Sequence, residues 1–160
     1  MISMYEQMEQ FSYDNDIMIC THCLPEGLSG YCYLSSVNDI KVIALNKKLD
    51  TTAEKTCVLA EEIEHYISTP EDLFAAPQSV KNKFERLARF NSIKKLMPFD
   101  KLIGARLRSI NDACDLADYL DITLEFLISG LMAYKEHYGF SVSYRNFTIC
   151  FDPFNIEKAS

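Results

Sequence analysis

The stretch Cys57–Thr69, CVLAEEIEHYIST, decides how the rest of the chain is read. Its centre is Glu61-Glu62-Ile63-Glu64-His65. On a helix, residues four apart share a face, so Glu61 and His65 point the same way with Glu62 beside them. The zinc-peptidase motif H-E-x-x-H uses that geometry: two ligands one turn apart, and a glutamate that takes a proton from metal-bound water. Here a glutamate stands where the first histidine would be, which leaves E-E-x-x-H. Taken alone the pattern has a bland counterpart, because Glu and His are ordinary on a solvated helix face.

Working outward, Thr51 followed three residues later by Glu54 is a capping-box pattern, so the helix opens there. It runs to about Ser68, and Thr69-Pro70 ends it. Leu59, Ile63 and Tyr66 form its expected buried seam, broadened by Val58 and Ile67. The irregular loop Pro70–Pro77 could border a site. A second helix is expected over about Gln78–Met97, with Phe84, Leu87, Ala88 and Leu96 among its apolar positions. Glu85 interrupts them. It has two readings: paired along its own helix with Lys81 or Arg89, at i−4 and i+4, or delivered from a second helix as a third metal ligand. Pro98 closes this helix, and Phe99–Leu107 reads as another short one.

Before the central helix, Ser3–Tyr13 reads as a helix with Met4, Met8 and Phe11 on one stripe. Ile17–Cys20 is β-like and is stopped by the turn Leu24-Pro25-Glu26-Gly27. Tyr31–Leu34 and Ile40–Leu45 form a hairpin about Ser35–Asp39, giving a small antiparallel sheet of three strands. After it, Asp112–Leu120 and Thr123–Tyr138 make a helix pair with Thr123 as an N-cap. The pair has a helix-turn-helix outline, but no Lys or Arg lies between Ser109 and Ala133. A recognition helix needs donors for phosphates and bases, so the pair is read as packing. Phe140–Tyr144 and Phe147–Phe151 then form a β-hairpin about Arg145-Asn146.

Composition narrows the function classes. At 160 residues the chain fits one domain with a proper core. A net charge of −7 leaves no basic footprint for direct nucleic-acid binding. No run approaches the roughly 18–20 apolar residues of a membrane span, and the N-terminus lacks the basic and apolar regions of a signal peptide. A cytoplasmic location is the expectation. The six cysteines (Cys20, Cys23, Cys32, Cys57, Cys114, Cys150) then read as buried thiols. Cys20-Thr21-His22-Cys23 has the C-x-x-C spacing of half a zinc ribbon, without the second half. His22 is a fallback for the missing histidine if its strand passes over the site. His137 reads as a favourable charge at a helix C-terminus.

Several stretches taken together resemble one family, the ImmA/IrrE metallo-endopeptidases of phages and integrative elements. They are Leu24-Pro25-x-Gly27-Leu28-x-Gly30, Ile43-Ala44-Leu45-Asn46, Thr51 through Glu62, and His65-Tyr66. The likeness continues in Glu85-x-x-Ala88-Arg89, Leu96-Met97-Pro98, Leu116-Ala117-x-Tyr119-Leu120 and Tyr134-Lys135-Glu136-x-Tyr138-Gly139. It covers about residues 20–152. The resemblance implies a single α+β domain: an N-terminal helix (1–15), a small antiparallel sheet (17–45), a zincin-like metal helix with a second ligand-bearing helix (51–107), then a helical part and terminal hairpin (110–152).

The resemblance also implies a site. The metal ligands fall on His65, Glu85 and Glu61, the last at a position where better-known members have histidine. Glu62 falls on the catalytic glutamate that activates metal-bound water, and Glu64 stands where the family usually has glycine. The implied cofactor is Zn²⁺. A Glu-for-His exchange takes the sum of ion and ligand charges from +1 to zero, which weakens water activation and shifts preference towards Mn²⁺ or to no metal at all. The implied activity is a metal-dependent endopeptidase that cleaves or inactivates a helix-turn-helix repressor. The alternative is a protease-like antirepressor that works by binding the repressor.

Overall fold

The computed structural model describes residues 2–70 and 76–159. The middle of the Pro70–Pro77 loop, residues 71–75, therefore lies outside the described residues. The chain is α+β and forms two compact units, Met1–Ser92 and Ile93–Ser160. Among the described residues no helix is long and apolar enough to cross a membrane.

In the first unit α1 (Met4–Asp14) opens on a capping box between Ser3 and Glu6. Three strands follow: β1 (Met18–His22), β2 (Gly30–Ser35) and β3 (Ile40–Asn46). The β2–β3 hairpin is antiparallel as expected, with Gly30 opposite Leu45 and Ser35 opposite Ile40. The sheet is not antiparallel throughout, because β1 pairs with β3 in parallel and the strand order is β1-β3-β2. The physical reason is the connection Cys23–Ser29. It is too long for a two-residue hairpin turn, and it carries the chain across to the far side of β3. Its end is held by Asn46, a buried residue whose side-chain amide donates to Leu28 O at 2.7 Å and whose backbone N–H donates to Ser29 O at 2.8 Å. Gly27 supplies the positive φ of 86° inside the turn.

Against this sheet lies α2 (Thr52–Ser68), which packs on β2, β3 and α1. The capping box is present in full: the Glu54 N–H donates to Thr51 Oγ1, and the Thr51 N–H donates back to Glu54 Oε2. The packed side of α2 is Thr56, Cys57, Leu59, Ala60, Ile63 and Glu64. Tyr66 is only partly covered and Ile67 is 54% exposed, so the buried seam is rotated away from the C-terminal residues expected in it. The cysteines differ as well: Cys57 is buried, whereas Cys23 and Cys114 are exposed, and all six are free thiols. The helix α3 (Gln78–Leu96) continues from the first unit into the second. Leu87, expected on its apolar side, is 41% exposed, while Ala88 is fully buried.

The second unit holds α4 (Phe99–Leu107), α5 (Ala113–Leu120), α6 (Leu124–Tyr138) and a sheet of β4 (Ser141–Tyr144), β5 (Phe147–Phe151) and β6 (Phe154–Lys158). Asp112 and Thr123 cap α5 and α6 through their side chains. Between the two helices Asp121 adopts the left-handed conformation, φ 59°. Their buried residues, Leu116, Ala117, Leu120, Phe126 and Leu127, make the pair a packing element. At Gly130 α6 comes so close to Met97 that a Cβ would lie 2.5 Å from its sulfur. Tyr134 is buried and its hydroxyl donates to Met97 O at 2.9 Å. The expected terminal hairpin is β4–β5. A further strand, β6, pairs antiparallel with β5 beyond the Asp152-Pro153 turn.

Candidate active site

The four residues expected to carry chemistry sit on α2 and α3, both placed by ordinary packing. Because Ile63 and Leu59 anchor α2 to the sheet, Glu61 and His65 are left on the edge that faces α3. Two side-chain pairs bridge the helices there. His65 Nε2 lies 3.4 Å from Glu85 Oε2, and Arg89 Nη1 lies 3.0 Å from Glu61 Oε2. The pairing of 65 with 85 and 61 with 89 is that of antiparallel helices in register: one step of four residues back along α2 matches one step of four forward along α3.

Glu62 occupies the other side of this edge, against β2. A Cβ on Gly30 would stand 2.8 Å from Glu62 Oε1 and 2.5 Å from Val58 Cγ1, so only glycine admits α2 this close. Burial lifts the Glu62 carboxyl to about 8, and the negative charges of Glu61 and Glu85 push the same way. A hydrogen bond from the Cys32 backbone amide acts in the opposite sense. The Cys32 thiol is itself pushed up to about 12, by burial first and by the Glu62 charge second, so it stays protonated. Glu64 belongs to the packed side of α2 and is 6% exposed.

The donor types suit a divalent cation: the His65 imidazole meets the Glu85 carboxylate at 3.4 Å, and Glu61 and Glu85 raise the proton affinity of a third carboxylate, Glu62. Two ligands about 2.0–2.1 Å from a tetrahedral ion stand about 3.3–3.4 Å apart, which is the His65–Glu85 separation. That separation also serves a plain imidazolium–carboxylate pair. The ligand set is incomplete as it stands. Glu61 turns to Arg89, and among the described residues no three His, Cys, Asp or Glu side chains come close enough together to share an ion.

Residues 14–132 match the family model Peptidase_M78, the IrrE N-terminal-like domain. The chain belongs to this family. No curated protein matches it. The Peptidase_M78 span runs from the end of α1 to the last turns of α6 and so includes every residue of the candidate site.

Within this Peptidase_M78 chain, sequence reasoning places Glu61, Glu62, His65 and Glu85 in one neighbourhood, and the structure joins His65 to Glu85 directly. It does not bring Glu61 to them. His22 is no substitute: it ends β1, on the opposite side of β3 from the strand that Glu62 abuts. His137 lies in the last turn of α6. Three contributors escaped the sequence. Gly30 was visible only as one glycine of a turn-rich run, Cys32 as one of six thiols, and Arg89 as a neighbour of Glu85 on its own helix.

Proposed function

We propose that this protein is a metal-dependent endopeptidase acting in the cytoplasm on a helix-turn-helix repressor of a phage or mobile element. The observation that supports it most is the 3.4 Å meeting of His65 with Glu85 across two helices, beside a partly buried Glu62. His65 and Glu85 would hold the ion, with Glu61 completing the set once it leaves Arg89. A bound Zn²⁺ or Mn²⁺ supplies positive charge that polarises the scissile carbonyl and lowers the cost of forming hydroxide. The remaining work falls to the chain. The Glu62 carboxylate takes a proton from the attacking water and returns it to the leaving amine. A carboxyl lifted to about 8 has proton affinity near that needed for both transfers at neutral pH. The strand β2, which lies at the edge of its sheet among the described residues, offers main-chain groups to an extended peptide beside Glu62.

A second reading is favoured by one observation, the Arg89–Glu61 ion pair at 3.0 Å. It makes the chain an antirepressor that grips its partner without cutting it, its net charge of −7 matching a basic DNA-binding domain. Incubating the purified protein and Zn²⁺ with the repressor encoded beside it separates the two. The peptidase reading expects defined fragments from the wild type and none from Glu62→Gln. An intact repressor that is nevertheless released from its operator, equally by both proteins, would overturn it in favour of binding.

A further inference from the structure

We infer that Arg89 is a built-in competitor for the metal: its guanidinium holds Glu61 out of the ligand set, so the site loads fully only when that ion pair opens. This rests on the reading of the same site as a metal centre. The argument begins with register. Glu85 and Arg89 are one turn apart on α3, and they face His65 and Glu61, one turn apart on α2. The cation of Arg89 therefore stands one helical turn from the rung where an ion would sit. Arg is charged at every physiological pH, so it opposes a second cation nearby at all times.

Glu61 has both a protein cation at 3.0 Å and a place one turn from His65 on the same face of α2. Its side chain is 28% exposed and that of Arg89 46%. The pair is thus half-wet, and a pair of this kind contributes little to folding. It is strong enough to set a rotamer and weak enough to be exchanged. A purely structural salt bridge would leave metal affinity alone. An arginine that positioned Glu61 as a ligand would raise affinity, and its removal would weaken binding. A competitor does the reverse, and the sign distinguishes the three.

The test is a Zn²⁺ titration of the full chain against a chromophoric chelator, repeated with Mn²⁺, for wild type, Arg89→Gln, Arg89→Lys, Glu61→Gln and the Arg89→Gln/Glu61→Gln double variant. Arg89→Gln keeps most of the side-chain volume, and metal-free thermal melts check that each variant folds. Expected is metal binding about tenfold tighter in Arg89→Gln, with Arg89→Lys close to wild type. In the Glu61→Gln background the Arg89 exchange should bring no such gain, because the ligand it releases is gone. Equal or weaker binding by Arg89→Gln overturns the inference, as does a tenfold gain that persists without Glu61. Repressor cleavage followed in the same preparations separates the two claims. Cleavage with no Arg89 effect keeps the peptidase and discards the competitor. An Arg89 effect with no cleavage by any variant does the opposite.

Discussion

One helical turn separates two rungs between α2 and α3, and they are built from opposite materials. At His65–Glu85 an imidazole meets a carboxylate at 3.4 Å. At Glu61–Arg89 a carboxylate meets a permanent cation at 3.0 Å. The first rung is a fragment of a ligand set, open to an ion because both of its atoms can donate lone pairs. The second is already neutralised. The difference teaches that a glutamate in place of a histidine does more than change the hardness of a ligand. It creates an anion that an arginine on the facing helix can claim, which a neutral imidazole would not invite.

If the first rung carries the chemistry, the largest effect belongs to the residue beside it. Glu62→Gln should cut repressor cleavage by about 10²–10⁴-fold, the range of a lost general acid–base group, while zinc affinity falls far less. Steady-state cleavage with a parallel metal titration checks this. Loss of both together would assign Glu62 to the ligand set instead. Next in size, His65→Ala should weaken Zn²⁺ binding by more than about 100-fold, beyond the usual cost of an outer-sphere change, whereas Glu61→Gln should cost less, because what Glu61 gives the ion is offset in part by breaking its pair with Arg89. Comparable losses at His65 and Glu61 would erase the contrast between the rungs.

The crowding of carboxylates gives a third check, in the metal-free protein. Glu62 is raised from 4.5 to about 8 in the folded chain. Across that window the folded state keeps a proton that the unfolded state has released, so stability falls as pH rises through it, by an amount on the order of a few kcal/mol. Glu62→Gln should flatten this decline, and thermal melts at pH 5 and pH 8.5 measure it. A decline just as steep in the variant would place its origin elsewhere. Smaller again, Gly30→Ala forces a Cβ to within 2.8 Å of Glu62 Oε1. The expected cost is about 1–3 kcal/mol of overpacking, read by chemical denaturation, with cleavage falling alongside.

Much of this was legible in the sequence where local chemistry decides the outcome. Thr51 and Glu54 announced the start of α2, Thr123 the start of α6, and the i, i+4 spacing put Glu61 and His65 on one edge. The β2–β3 hairpin followed from periodicity and turns, and the α+β class from the family resemblance. What escaped was set by tertiary placement. The parallel β1–β3 pairing depends on where the Cys23–Ser29 connection crosses, and no residue pattern encodes a crossing. The last strand, Phe154–Lys158, alternates Phe154 and Ile156 with polar residues, yet Asp152-Pro153 reads as an end. For Arg89 the i−4 partner Glu85 was the obvious choice on one helix. Glu61, 28 positions away in the chain, became its neighbour only when α3 folded back along α2.

The most direct test of the two-rung account is a crystal structure of the protein grown with Zn²⁺. The account predicts one ion held by His65 and Glu85, with Glu61 swung away from Arg89 to within about 2.0–2.2 Å of it. A zinc ion bound at other residues, or held by His65 and Glu85 while Glu61 keeps its 3.0 Å contact with Arg89 at full occupancy, would contradict it.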